Sequence, residues 1–224
     1  FFKILAFIGT IVITIISYNY LNDLKIIKPE FFFLILLALV GILVLISSNN
    51  ILSMYLGLEL SSICLYILAA YSKYDIKSSE AGVKYFIIGA LSSAILLYGL
   101  SIIYSFTNST NFYEISKTIS FSLENNENFL IINLGFVLIL CGLFFKIAVV
   151  PFHMWAPDVY EGSPTPITAF LITVPKIGTI GFLIKFLNIP FSDFSDAWFQ
   201  ILYIVSLISM IIGSTAAINQ KNIK

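Results

Sequence analysis

Apolar residues fall into seven long runs, at 1–18, 31–46, 51–71, 81–106, 129–150, 167–187 and 198–218, parted by polar segments. Each run is compatible with the roughly 20 residues that a helix needs to cross a hydrocarbon core about 30 Å thick. Helices alone satisfy their backbone hydrogen bonds within single spans of this kind. The pattern therefore predicts an all-α polytopic membrane protein with about seven transmembrane helices. The polar turn Ser47-Ser48-Asn49-Asn50 is tight and predicts an antiparallel hairpin of the second and third spans. Ser78 or Ser79 is placed to cap the fourth span, with Glu80 suited to the positive end of the helix dipole. In the long polar connection 107–128, Phe112, Ile115, Ile119 and Leu123 recur at helical spacing. That spacing predicts a helix lying on the membrane surface, and the alternation from Ile119 to Leu123 leaves a short strand as the alternative.

Composition supports the membrane class. Of 224 residues, 59% are hydrophobic and 11% charged, with a mean hydropathy of +0.99. A soluble domain carries about 25% charged residues, and this chain has more apolar surface than its own interior can hide. The net charge is zero, which removes any electrostatic case for nucleic acid. Cys64 and Cys141 sit in separate apolar runs without the clustering that zinc or iron–sulfur ligation needs, and read as small buried hydrophobes. No glycine-rich phosphate loop or dinucleotide fingerprint is visible, so any redox reaction that powers this chain would lie on another one. The chain opens inside an apolar run without Met and stops just after another, which leads to the expectation of a piece of a longer protein. Lys25, Lys28, Lys73, Lys77, Lys221 and Lys224 fall on one side of the alternating spans; Lys3, Lys117 and Lys185 fall on the other. The positive-inside rule places the first group in the cytoplasm or mitochondrial matrix.

The informative exceptions are the charges inside apolar runs: Glu59, Lys84, Lys146 and Lys176. A central lysine costs roughly 2.5–3.5 kcal/mol on the insertion scale, and such groups mark ion pathways. Glu59 lies roughly 13 Å along its span, near the midplane. Lys84 is about one turn inside the fourth span, as a partner for Glu59 or as a residue snorkelling to the interface. Lys146 is followed by Pro151, expected to break the helix and leave the carbonyl of Ile147 unpaired; Pro175 precedes Lys176 and is expected to release that of Leu171. Helix breaks at membrane depth line cavities or meet protein. Out of water the charged form of an amine is disfavoured, and a lysine can then exchange its proton where an arginine cannot. His153, the lone histidine, can relay protons or serve as a hydrogen-bonded structural group. Asp158 and Glu161 read as caps or loop contacts. Together these residues point to a membrane proton pathway through Glu59, Lys84, Lys146, His153 and Lys176.

The run Phe145-Lys-Ile-Ala-Val-Val-Pro-Phe-His-Met-Trp-Ala-Pro-Asp-Val-Tyr-Glu-Gly-Ser-Pro-Thr-Pro-Ile-Thr-Ala-Phe170 resembles the antiporter-like membrane subunits of proton-pumping NADH:quinone oxidoreductase (respiratory complex I), in particular subunit N, or subunit 2. Tyr55–Leu60, Ser79–Phe86 and Ala217–Lys224 are similar to that family too. The resemblance implies a fold of about 14 helices in bacterial forms, with two inverted five-helix repeats. Residues 1–30 would then be a flanking helix and loop, 31–187 the first repeat with its proline-broken spans, and 188–224 a flanking helix leading to a second repeat not present here. It implies that Glu59 is the family's key glutamate and that Lys84, Lys146 and Lys176 are its embedded lysines. It also implies that NADH, FMN, iron–sulfur clusters and quinone are used on other subunits, with no cofactor or metal on this chain. The expected partners are other membrane subunits and the lipid bilayer, in a bacterial cytoplasmic or mitochondrial inner membrane. A subunit of a multisubunit sodium/proton antiporter is the alternative, and a purely structural subunit is a further one.

Overall fold

A computed structural model describes residues 1–23, 26, 28–124 and 129–220. Among them the elements are α1 (Phe2–Asp23), α2 (Pro29–Ser47), α3 (Ile51–Ala69), α4 (Ile76–Thr107), α5 (Phe112–Glu124), α6 (Phe129–Ile147), α7 (Ala156–Gly162), α8 (Thr165–Asn188) and α9 (Ser195–Asn219), with a 3-10 turn at Ser192–Phe194 before α9. Seven of the helices are long and apolar enough to cross a membrane: all but α5 and α7. The chain is a multi-pass membrane protein.

Local chemistry sets the ends. Pro29 starts α2, where its missing N–H costs nothing. The Asn50 side chain accepts from Ser53 N at 2.7 Å and caps α3. The expected Ser78 or Ser79 cap of the fourth span is displaced: α4 begins at Ile76, and Asp75 caps it by accepting from Lys77 N at 3.0 Å. Ser78 instead donates to Ala69 O at 2.9 Å and ties the start of α4 to the end of α3. The segment 112–124 is helical rather than a strand. Its residues Phe112, Ile115 and Ile119 are buried against α4, α6 and α8; the burial of Leu123 lies outside the described residues.

The helices pack α2 on α3, α4 on α6 and α1 on α8. The α2–α3 hairpin is tight because both partners lack a side chain at the crossing. A Cβ on Gly57 would stand 2.7 Å from Leu45 N, and one on Gly41 2.7 Å from Ser61 N. At one end of the bundle Tyr71 donates to Ile26 O at 3.1 Å and Lys77 meets Glu161 at 3.3 Å. At the other, Lys185 donates to Ser48 O at 2.6 Å and Ile51 N to Thr110 O at 2.9 Å. These ends match the sidedness read from the lysines for Lys28, Lys73, Lys77 and Lys185; Lys25, Lys221 and Lys224 lie outside the described residues.

Candidate functional site

The site is organised by the end of α6. Phe145 and its neighbours are helical, then Ala148 takes the left-handed conformation with φ 63°. Val149 N bonds to Phe144 O at 3.1 Å and Ala148 N to Phe145 O at 3.1 Å, a Schellman-type stop. The helix therefore ends at Ile147, four residues before Pro151, which lies in the irregular segment 148–155. Pro151 is not a break within a helix, as expected, but part of the segment that follows one; the residue before a proline resists the α conformation, so the stop falls upstream. Trp155 Nε1–H reaches back to Phe145 O at 3.2 Å. From α9, the Ser209 hydroxyl accepts from Val150 N at 3.2 Å.

This early stop leaves Lys146, in the last turn of α6, beside the middles of two other helices. Its Nζ donates to Ser62 Oγ at 2.8 Å, Ser93 Oγ at 3.2 Å and Tyr66 OH at 3.4 Å. Ser93 is near the midpoint of the 32-residue α4, about 26 Å from its start. Ser62 lies about 16 Å along α3. The ammonium is thus held deep in the bundle, as the sequence predicts, by hydroxyls that sequence reading does not single out. The signal was there in α3: Glu59, Ser62 and Tyr66 are three and four residues apart and share one helix face.

Glu59 is partly buried on that face. Its charge reaches Lys146 and Tyr66, yet among the described residues no ion pair joins it to a lysine. The expected pairing of Glu59 with Lys84 is not found. Lys84 bonds Asp158 at 2.7 Å and Glu80 at 2.8 Å, at the α4–α7 contact, with its side chain 42% exposed. The reason is register: Glu80 is one turn before Lys84 on α4, and α7 brings Asp158 across. Lys77, Glu80, Lys84, Asp158 and Glu161 line a polar cavity of about 150 Å³ there.

Lys176 lies on α8, which runs on as a helix through Pro175, so Pro175 does not break its span. Packing of α8 against α1 and α2 holds the helix where one backbone bond is lost. The Lys176 ammonium sits 5.6 Å from the centre of the Tyr160 ring. Burial pushes the Tyr160 hydroxyl up to about 12, so this phenol stays protonated at neutral pH. The two lysines are joined by touching aromatic rings: Tyr66 and Tyr85 at 4.7 Å, Tyr85 and Trp155 at 4.6 Å, Trp155 and Tyr160 at 5.9 Å. His153 lies in the 148–155 segment; its Nδ1 is buried without a hydrogen-bond partner in the protein. Among the described residues no cluster of three or more His, Cys, Asp or Glu side chains could hold a metal ion.

The fold and the site define an all-helical multi-pass membrane protein with a lysine bonded by hydroxyls of two neighbouring helices. The family model for the transmembrane segment of NADH:quinone oxidoreductases and Mrp antiporters matches residues 48–224, and the chain belongs to that family. It is 48% identical to NADH-quinone oxidoreductase subunit N of Pelagibacter ubique, over all of this chain and 46% of that protein. The same subunit of Beijerinckia indica is 46% identical, again over all of this chain and 46% of its own length. The chain thus spans about half the length of the curated relatives it matches. Among solved structures, respiratory complex I from Thermus thermophilus with bound aureothin matches with a TM-score of 0.77 at 31% identity, covering 100% of this chain and 45% of that one. The Mrp complex from a Dietzia species matches in fold, with a TM-score of 0.71 at 22% identity over 84% of this chain and 34% of that one.

Proposed function

We propose that this chain is part of the proton-translocating subunit N of NADH:quinone oxidoreductase in a bacterial cytoplasmic membrane. Residues 31–187 form its first five-helix repeat. The observation that carries the reading is the Lys146 ammonium, held among α3, α4 and α6 near the middle of the bundle and within range of the Glu59 charge. Glu59 biases the protonation of Lys146. A proton leaving Lys146 Nζ passes by water or the His153 imidazole to Lys176, whose amine takes it up. Lys84, at the polar cavity with Asp158 and Glu80, stands at the mouth of this path. Quinone reduction elsewhere in the complex drives the movement. NADH, FMN, iron–sulfur clusters and quinone belong to other subunits, and the partners of this chain are neighbouring membrane subunits and lipid. The identities near one half to subunit N favour this reading over a sodium/proton antiporter subunit, whose solved example shares the fold alone.

The test is Glu59→Gln and Lys146→Ala in the full-length subunit within the intact complex, with quinone reductase activity and proton pumping measured together. Both substitutions are expected to lower pumping at least tenfold, the effect of a barrier raised by about 1.4 kcal/mol. Wild-type pumping in both would refute the role. So would wild-type pumping after joint replacement of the two residues by apolar ones, the outcome a purely structural ion site demands. Co-purification with flavin and iron–sulfur subunits separates this reading from the antiporter.

A further inference from the structure

We infer that Ser62, Tyr66 and Ser93 form a built resting site for the ammonium of Lys146, apart from Glu59. The inference deepens the proton-transfer reading and rests on it. Four observations carry it. First, an ammonium has three N–H donors and no acceptor, and three hydroxyl oxygens from two helices surround Lys146 Nζ, at 2.8, 3.2 and 3.4 Å. Second, Ser62 spends its own proton on Leu58 O at 2.8 Å, so its oxygen faces Lys146 as an acceptor. Third, the Tyr66 hydroxyl occupies a notch that exists because residue 89 is glycine: a Cβ there would collide with the hydroxyl oxygen. The Tyr66 ring is steadied by edge contacts with Tyr85 at 4.7 Å and Phe86 at 5.7 Å, and its face lies 5.9 Å from Lys146 Nζ. Fourth, Ser62 and Ser93 are both buried, at 3% and 6% exposure, so their hydroxyls have no ready access to bulk water as competitor.

The arrangement gives Lys146 two electrostatic environments on one face of α3. One is the carboxylate of Glu59. The other, one and two turns along, is a neutral cage of oxygens that holds the ammonium without a counter-ion. No covalent bond changes in the cage. It fixes where the nitrogen rests, and so the distance over which the Glu59 charge acts. Ser62, Tyr66 and Ser93 are thus positioning residues for the proton carrier. The neighbouring Ser92 is a natural control, because its hydroxyl is buried but makes no hydrogen bond in the protein.

The experiment uses the full-length subunit in the assembled complex, normalised to the amount of complex in the membrane. Tyr66→Phe, Ser93→Ala and Ser92→Ala are compared with Lys146→Ala for initial pumping rate and its pH profile. Tyr66→Phe keeps the ring and its packing, so it separates the hydroxyl from the fold. Tyr66→Phe and Ser93→Ala are each expected to slow pumping by about tenfold, the scale of one hydrogen bond to a charged group, and to move the pH profile in the same direction. Ser92→Ala is expected to pump as wild type. Wild-type rates and pH profiles in both cage variants overturn the cage, as does a Ser92→Ala effect equal to that of Ser93→Ala. If Lys146→Ala itself pumps normally, it is the proton-transfer reading that fails.

Discussion

A lysine at the end of a helix usually satisfies the last carbonyls and reaches water. Lys146 instead bonds hydroxyls of α3 and α4, because α6 stops beside the middles of those helices and its last turn faces them. The stop is made by Ala148 in a conformation that glycine normally supplies. A left-handed alanine is strained by roughly 1 kcal/mol. Ala148→Gly is therefore expected to raise the stability of the subunit by up to about 1 kcal/mol, read as a higher thermal midpoint, with Lys146 left in place. A lower midpoint would show that the tight stop depends on the alanine methyl group. The same scale explains why Lys84 parts from Glu59. Its own turn supplies Glu80 and the next short helix supplies Asp158, both closer at hand than any group on the far side of α3.

At the level of elements, the α2–α3 hairpin presents the face that carries Glu59 and Ser62. Its closeness depends on Gly41 and Gly57, where backbone meets backbone. A side chain at residue 57 must push α2 away, since Leu45 N and Gly41 O lie 2.7 and 2.9 Å from where its Cβ would stand. Gly57→Val is expected to destabilise the hairpin by about 1–3 kcal/mol and to reduce the subunit assembled in membranes. Gly213→Val on α9, where nothing lies within 4 Å, is the matched control and is expected to assemble normally. Equal amounts of both variants would show that the crossing has room to give. The α7 helix is held differently, by Lys77–Glu161 and Lys84–Asp158 and by Trp155 against Tyr85. The ion pairs are exposed and contribute little, which leaves the aromatic contact as the firmer anchor.

For the molecule as a whole, Lys73 and Lys77 fall at one end of the bundle and Lys185 at the other, and the positive-inside rule turns that difference into an expected orientation. Lys73 and Lys117 are both exposed, at opposite ends of the alternating spans. Cysteines placed there are expected to react with a membrane-impermeant maleimide from opposite sides, Lys73→Cys from the cytoplasmic side. Labelling from one side would overturn the topology. The seven spans, the hairpin, the helical state of 112–124 and the presence of charges in apolar runs could all be read along the chain. Each follows from hydropathy and spacing within a single segment, and transfer of apolar surface out of water is a local property of residues. The partners of those charges could not be read in this way. Lys146 meets oxygens from residues 62, 66 and 93, which come from α3 and α4. Lys84 meets residue 158, and the notch for Tyr66 is cut by the glycine at 89. Contacts of this kind depend on how helices cross and where one of them stops. A pattern along one helix tells which face is charged, but the atoms across from that face are chosen by packing between segments far apart in the chain.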